Sequence, residues 1–207
     1  MRVVGVQSSA RLWQHHGVAT EKSFRNRDFD APRKRKTLDA AGLRALALRY
    51  VERYATTHTK LLRYLGRKIR ERDWTDEAPP DPEALANRFV ELGYVDDRIY
   101  GEAKARSLAS RGYGKRRVDG ALREAGISDG LRDEIAAQHK SRAALLVFAK
   151  RKRLGPFATD APDRDKERKQ FAACLRAGHD MDDVRRLFAA TDATDLEAEW
   201  SAADDGI

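Results

Sequence analysis

A single cysteine, Cys174, occurs in 207 residues. One thiol makes neither an intrachain disulfide nor a zinc cluster, which fits a reducing, cytoplasmic setting. It reads as a small buried hydrophobe on a helix. Long apolar runs are lacking too. No stretch reaches the roughly 20 apolar residues of a membrane span, and residues 1–20 lack the apolar segment of a signal peptide. There is no phosphate-binding GxxxxGKS/T or GxGxxG and no catalytic GxSxG or HExxH. The histidines, His15, His16, His58, His139 and His179, show no metal-ligand spacing on an ordered helix. The sequence therefore reads as non-enzymatic, with no metal and no cofactor.

What is abundant is charge. Charged residues make up 36% of the chain and hydrophobic ones 41%, against about 25% charged in average soluble proteins. This balance suits amphipathic helices with solvated faces and argues against one large core. The net charge is +8, and its distribution is uneven. Residues 1–36 carry nine Lys/Arg against three acids, and residues 140–190 carry thirteen against seven. The middle is nearly neutral, and residues 191–207 hold six acids and no base. A basic excess of this kind draws polyanions or acidic surfaces.

Residues 1–36 show no sustained period and read as a disordered basic arm, or as the product of a start codon placed too early. Regular structure is expected from Thr37. Leu43, Leu46, Ala47, Tyr50, Val51 and Tyr54 share one face of a helix. Leu61, Leu62, Leu65 and Ile69 mark a second. Asp81-Pro82-Glu83 starts a third, with a capping carboxylate followed by proline at the first helical position. Asp96 or Asp97 caps the next, which carries Ile99, Tyr100, Ala103 and Leu108. Gly114 opens a helix that ends at Gly126, and Ser128 caps its successor. A helix with Leu145, Val147, Phe148 and Leu154 runs to Gly155-Pro156. Phe171, Cys174 and Leu175 precede Gly178, and Asp180 caps a last core helix with Met181, Val184, Leu187 and Phe188.

These nine helices group in threes. The junctions Leu122-Arg-Glu-Ala-Gly126-Ile-Ser128 and Leu175-Arg-Ala-Gly178-His-Asp180 are alike: an apolar stripe, a glycine stop, then a cap. No strand-like alternation appears. The expected fold is all-α: three tandem three-helix repeats in an elongated, curved array. Repeat boundaries fall at 37–93, 94–139 and 140–190, followed by an acidic tail over 191–207.

The candidate contact residues are basic. Gly112-Tyr113-Gly114-Lys115-Arg116-Arg117 is the nearest approach to a phosphate cradle, but a helix stop and tight turn account for its glycines. It reads as part of a macromolecular contact surface. Lys150, Arg151, Lys152 and Arg153 end a helix, where the dipole explains one or two cations and leaves a positive patch. Arg106 and Arg111 add to the first group. Asp96 and Asp97 are explained more simply by capping than by acid–base chemistry. The acidic tail offers screening of the basic third repeat.

Several of these segments together resemble the RecX family. Thr57-His-Thr-Lys-Leu-Leu-Arg-Tyr-Leu-Gly-Arg-Lys68 is similar to its first repeat. Leu92-Gly-Tyr-Val-Asp-Asp97 resembles its signature, which makes Gly93, Tyr94, Asp96 and Asp97 structural motif positions. Arg111-Gly-Tyr-Gly-Lys-Arg-Arg-Val118 and Leu122-Arg-Glu-Ala-Gly-Ile127 match further segments and add Gly112, Gly114 and Gly126. Lys60-Leu61 departs from a usual Glu-Leu, Asp73 stands before Trp74 where a glycine is usual, and the third repeat fits least. The resemblance covers about residues 40–190. It implies a monomeric regulator of homologous recombination, DNA repair and the SOS response. Such a protein binds the groove of the RecA–ssDNA filament and inhibits the recombinase, ATPase and coprotease activities of RecA. The alternative is a helical protein that binds single- or double-stranded DNA directly, without sequence preference. The helix Lys115–Ala125 holds Lys115, Arg116, Arg117 and Arg123, which suit phosphates better than base edges.

Overall fold

The computed structural model describes residues 35–160 and 163–205. The N-terminal arm, as far as Lys34, lies outside the described residues. The described chain is all-α, apart from a parallel pair of two-residue strands, β1 (Thr37–Leu38) and β2 (Asp73–Trp74). A pairing this short leaves no alternation to read in the sequence.

Three helix groups follow in chain order. The first is α1 (Ala40–Arg53), α2 (His58–Arg70) and α3 (Pro82–Glu91). The second is α4 (Asp97–Ala109), α5 (Lys115–Glu124) and α6 (Asp129–Ala137). The third is α7 (Ser141–Lys152), α8 (Arg164–Arg176) and α9 (Met181–Ala189). Each builds its own core. Leu43, Leu61, Leu65 and Phe89 centre the first, Leu108, Val118, Leu122 and Ile135 the second, and Leu145, Cys174, Val184 and Leu187 the third. Burial pushes the Cys174 thiol up to about 11, so it behaves as a hydrophobe. Not every apolar residue of the expected stripes faces a core: Ile99, Val147 and Met181 are exposed, Ile99 by 66%.

The acidic segment after Ala190 is the main departure from nine helices. It forms a tenth, α10 (Ala193–Asp205), packed on α7. Its apolar residues are few but well spaced: Leu196 and Trp200, four apart, are each 2% exposed in the third core. Asp192 accepts the backbone N–H groups of Thr194 and Asp195 at 2.6 and 3.1 Å, so the segment begins with its own cap.

The three groups join end to end through their middle helices. Thr57, the cap of α2, is fully buried; its Oγ1 accepts from Lys60 N at 3.2 Å and donates to Ala125 O at 2.6 Å. Thr59 Oγ1 and Arg63 Nη1 donate to Gly126 O and Glu124 O at 3.2 and 3.1 Å. The start of α2 thus satisfies the carbonyls that end α5. The start of α5 does the same for α8, with Gly114 N and Arg116 N donating to Ala177 O and Gly178 O at 3.0 and 3.1 Å. Positive helix ends meet negative ones, and groups that an isolated helix leaves unpaired find partners. Gly126 and Gly178 occupy equivalent places in the two junctions, with φ of +81° and +92°. A Cβ at either would come within 2.4 Å of the preceding repeat, so these positions need glycine both for backbone conformation and for space.

At the second junction His179 is 1% exposed, and its Nε2 donates to Gly112 O at 3.0 Å. That bond fixes the neutral tautomer and leaves Nδ1 buried without a partner. Burial lowers the His179 pKa, with His139 adding to the shift; Gly112 O and Asp183 oppose it, and Asp183 is itself tied to Arg142 at 3.1 Å. The His139 pKa is lowered by burial and then by Lys115.

Two predictions follow from this packing. Trp200→Ala should cost about 3–5 kcal/mol in urea unfolding, and deleting 191–207 should collapse the third core; an unchanged melting midpoint after the deletion would make α10 an appendage. The second concerns pH. Both histidines bind protons more weakly folded than unfolded, so stability is held above the ordinary histidine pKa, about 6.5, and lost as pH falls below it. Unfolding midpoints should drop between pH 7 and 5, where Glu71 and Asp192, both lowered, remain ionised. Equal midpoints across that range would refute the assignment.

Candidate functional site

A concavity of about 650 Å³ opens along α5, between the start of α2 and the second half of α4. Six cations line it: Lys60 and Arg63 from α2, Lys104 from α4, Arg111 just beyond α4, and Arg116 and Arg117 from α5. Glu124 is the single carboxylate among them. Leu108, Ala121 and Ala125 supply apolar surface, with Tyr100 and Tyr113.

The helix ends create this arrangement. Docking the first turns of α2 on the last carbonyls of α5 carries Lys60 and Arg63 over the α5 face that presents Arg116, Arg117 and Gly120. The charges are held in place without being neutralised. Lys60 Nζ bonds the Tyr100 hydroxyl, Arg63 bonds the Glu124 carbonyl, and Arg111 Nε donates to Ser107 O at 2.9 Å. The Arg117 guanidinium lies 5.9 Å from the Tyr113 ring centre. Among the described residues none of the six makes an ion pair with an acid. Elsewhere on these helices pairing is common: Glu71 holds Arg67 and Lys68, Glu134 holds Arg98, Glu102 holds Arg106, and Asp119 holds Arg123. Unopposed charges converging on one recess concentrate positive potential there.

Of the basic residues singled out in the sequence, Arg111, Arg116 and Arg117 meet in this recess. Arg106 does not. It lies 3.6 Å from Glu102 on another face of α4, in a shallower hollow with Ile135, Gln138 and His139. Lys115 is outside the recess, close enough to His139 to depress its pKa. Lys60, Arg63 and Lys104 were not singled out. Their signal is weak in one dimension: Lys60 and Arg63 are three apart on a helix face, and Lys104 stands alone.

The third-repeat cations are differently placed. Lys150, Arg151 and Lys152 form the last turn of α7, and Arg153 ends it with φ of +53°. Lys150 is 2.7 Å from Glu197 of α10, and Arg186 of α9 is 2.6 Å from Glu199. The Arg151 guanidinium lies 5.9 Å from the Phe148 ring centre. The acidic helix thus neutralises part of the basic third repeat directly.

The motif residues hold backbone in place. Gly93, at φ of +75°, stops α3, and the exposed Tyr94 ring lies 5.5 Å from Phe89. Asp96 caps its own helix, accepting Ile99 N at 2.8 Å. Asp97 accepts His58 N at 2.9 Å, so it caps α2 across the first junction. Both carboxylates are therefore engaged in capping. Ser128 stands at the start of α6 but makes no side-chain cap bond. Gly112, at φ of +77°, lies against the Phe148 backbone, and Gly114 against Gly178. The amides of Gly114 and Arg116 donate to α8 carbonyls, so this segment is no phosphate cradle. Among the described residues no group of three or more His, Cys, Asp or Glu side chains is placed to hold a metal, and no helix is long and apolar enough to cross a membrane.

The chain is 30% identical over 172 residues to a protein of Myxococcus xanthus (strain DK1622) described as "Regulatory protein RecX", covering 78% of this chain and 92% of that one. A protein of Halorhodospira halophila (strain DSM 244 / SL1) with the same description is 31% identical over 154 residues, 74% of this chain and 90% of the relative. A third, from Agrobacterium fabrum (strain C58 / ATCC 33970), is 26% identical and covers 70% and 80%. A solved structure titled "Crystal structure of regulatory protein RecX" shares the fold with a TM-score of 0.56, at 18% identity, over 71% of this chain and 72% of that one. The chain matches no protein-family profile.

Proposed function

The chain belongs to the RecX family of regulatory proteins, and from that premise we propose that it is a non-enzymatic regulator of the RecA recombinase filament. The observation that carries this reading is the recess along α5, where cations from two repeats converge with no ion pairs of their own. Leaving so many cations unpaired in one place disfavours the isolated fold and favours an anionic partner. Repeats joined end to end suit a partner that is itself a repeating polymer, because modest contacts add through avidity.

In this reading the chain acts as a cytoplasmic monomer. It lies in the groove of the RecA–ssDNA filament and opposes the recombinase, ATPase and coprotease activities. Lys60, Arg63, Lys104, Arg111, Arg116 and Arg117 form the principal contact. Arg151, Lys152 and Arg153 extend it, while Lys150, held by Glu197, contributes less. Arg106 and Lys115 face other surfaces and are minor.

The test is ATP hydrolysis by the cognate RecA on single-stranded DNA, with the chain titrated well below RecA. Hydrolysis should fall at substoichiometric protein. Lys104→Glu and Arg116→Glu should each raise the concentration for half inhibition about tenfold or more. No effect at equimolar protein, together with tight binding to bare DNA, would instead support a direct DNA-binding protein.

A further inference from the structure

The geometry points to the recess along α5 as a binding site for free oligophosphates, such as a nucleoside triphosphate or an inorganic polyphosphate. The binding claim stands on the recess alone; its consequence for filaments rests on the reading above.

Shape separates a compact polyanion from an extended one. A strand of nucleic acid is followed by a stripe of basic residues along a surface. Here six cations without ion pairs gather around one bounded volume. Beside it on the same helices, carboxylates take up the other cations: Glu71, just past α2, holds Arg67 and Lys68, Glu134 of α6 and Glu102 of α4 hold Arg98 and Arg106 of α4, and Asp119 holds Arg123 on α5. Toward the third repeat, Glu197 and Glu199 of α10 hold Lys150 and Arg186. About 650 Å³ is also the size of an ordinary small-molecule site.

The lining chemistry agrees. Four of the six cations are arginines, whose planar forks bind phosphate oxygens in pairs. The Lys104 and Arg116 side chains have no hydrogen-bond or ionic partner among the described residues. The apolar surface of Leu108, Ala121 and Ala125, beside the Tyr113 ring, gives a ribose or base something to rest against. Recognition comes from side chains. The glycine-flanked amides are already spent on α8, so the site needs no nucleotide-binding loop. Bound oligophosphate would cover the contact offered to the filament and release it.

Calorimetric titration of the full chain with sodium tripolyphosphate, ATP and a short oligothymidylate tests this. One saturable site per chain is expected for tripolyphosphate and ATP. Lys104→Glu and Arg116→Glu should each weaken it about tenfold or more. Arg88→Glu, which removes a cation paired with Glu91 outside the recess, should leave it unchanged. Lys104→Gln and Arg116→Gln, with folding followed by circular dichroism, stand in if a reversal unfolds the chain. Absence of saturable binding by both phosphates, binding of the oligothymidylate alone, or affinity indifferent to both positions would each overturn the proposal. Inhibition of RecA hydrolysis read in parallel separates the two claims. Inhibition without tripolyphosphate binding sinks this site and leaves the regulator standing. Tripolyphosphate binding without inhibition does the reverse.

Discussion

The carbonyls that end α5 and α8 are the constraint on which the rest of the structure depends. A helix end buried without partners costs the full desolvation of its polar groups. Here each buried end is satisfied by the start of the preceding middle helix: hydroxyls and a guanidinium from α2 in one case, backbone amides of α5 in the other. The bonds are directional, so each sets both the spacing and the rotation of neighbouring repeats. Three small cores that share little apolar surface thereby become one ordered array. Asp97 reinforces the first junction by capping α2 from the second repeat.

The charged recess is a by-product of that joining. Lys60 and Arg63 lie in the turns of α2 that reach across to α5, so they must face whatever α5 presents beside its C-terminus. Arg116 and Arg117 lie at the other end of α5, next to the second junction. Nothing in the joining requires these side chains to be cationic. Their lack of acidic partners, on helices where Arg67, Lys68, Arg98, Arg106 and Arg123 are paired, is what gives the recess its chemistry.

The acidic α10 adds a second level of order. Its apolar residues complete the third core, while its carboxylates take up Lys150 and Arg186. One short helix both stabilises the repeat and trims its positive potential. Exposed ion pairs contribute little stability, so the anchoring comes from Leu196 and Trp200, and the pairs mainly shape the field.

Much of this was legible in the sequence. Helical periodicity placed the nine helices of the three repeats, because amphipathic stripes and glycine stops are local signals. The likeness of Leu122–Ser128 to Leu175–Asp180 exposed the repeat, and Asp81, Asp96 and Asp180 were readable as caps. The acidic tail was not readable as a helix of the core, since two apolar residues in a charged segment carry little periodic signal until a core receives them. The strands β1 and β2 were hidden by their brevity. The basic residues were visible, but their grouping was not. Arg106 and Arg111 are neighbours on the chain yet face different hollows, while Lys60 and Arg116, 56 positions apart, line the same one. The sequence by itself determined the helices, their caps and the sign of the charge, because those depend on neighbours within a turn or two. Only the tertiary structure decided which charges are neutralised and which converge, because that depends on how one helix end docks on another.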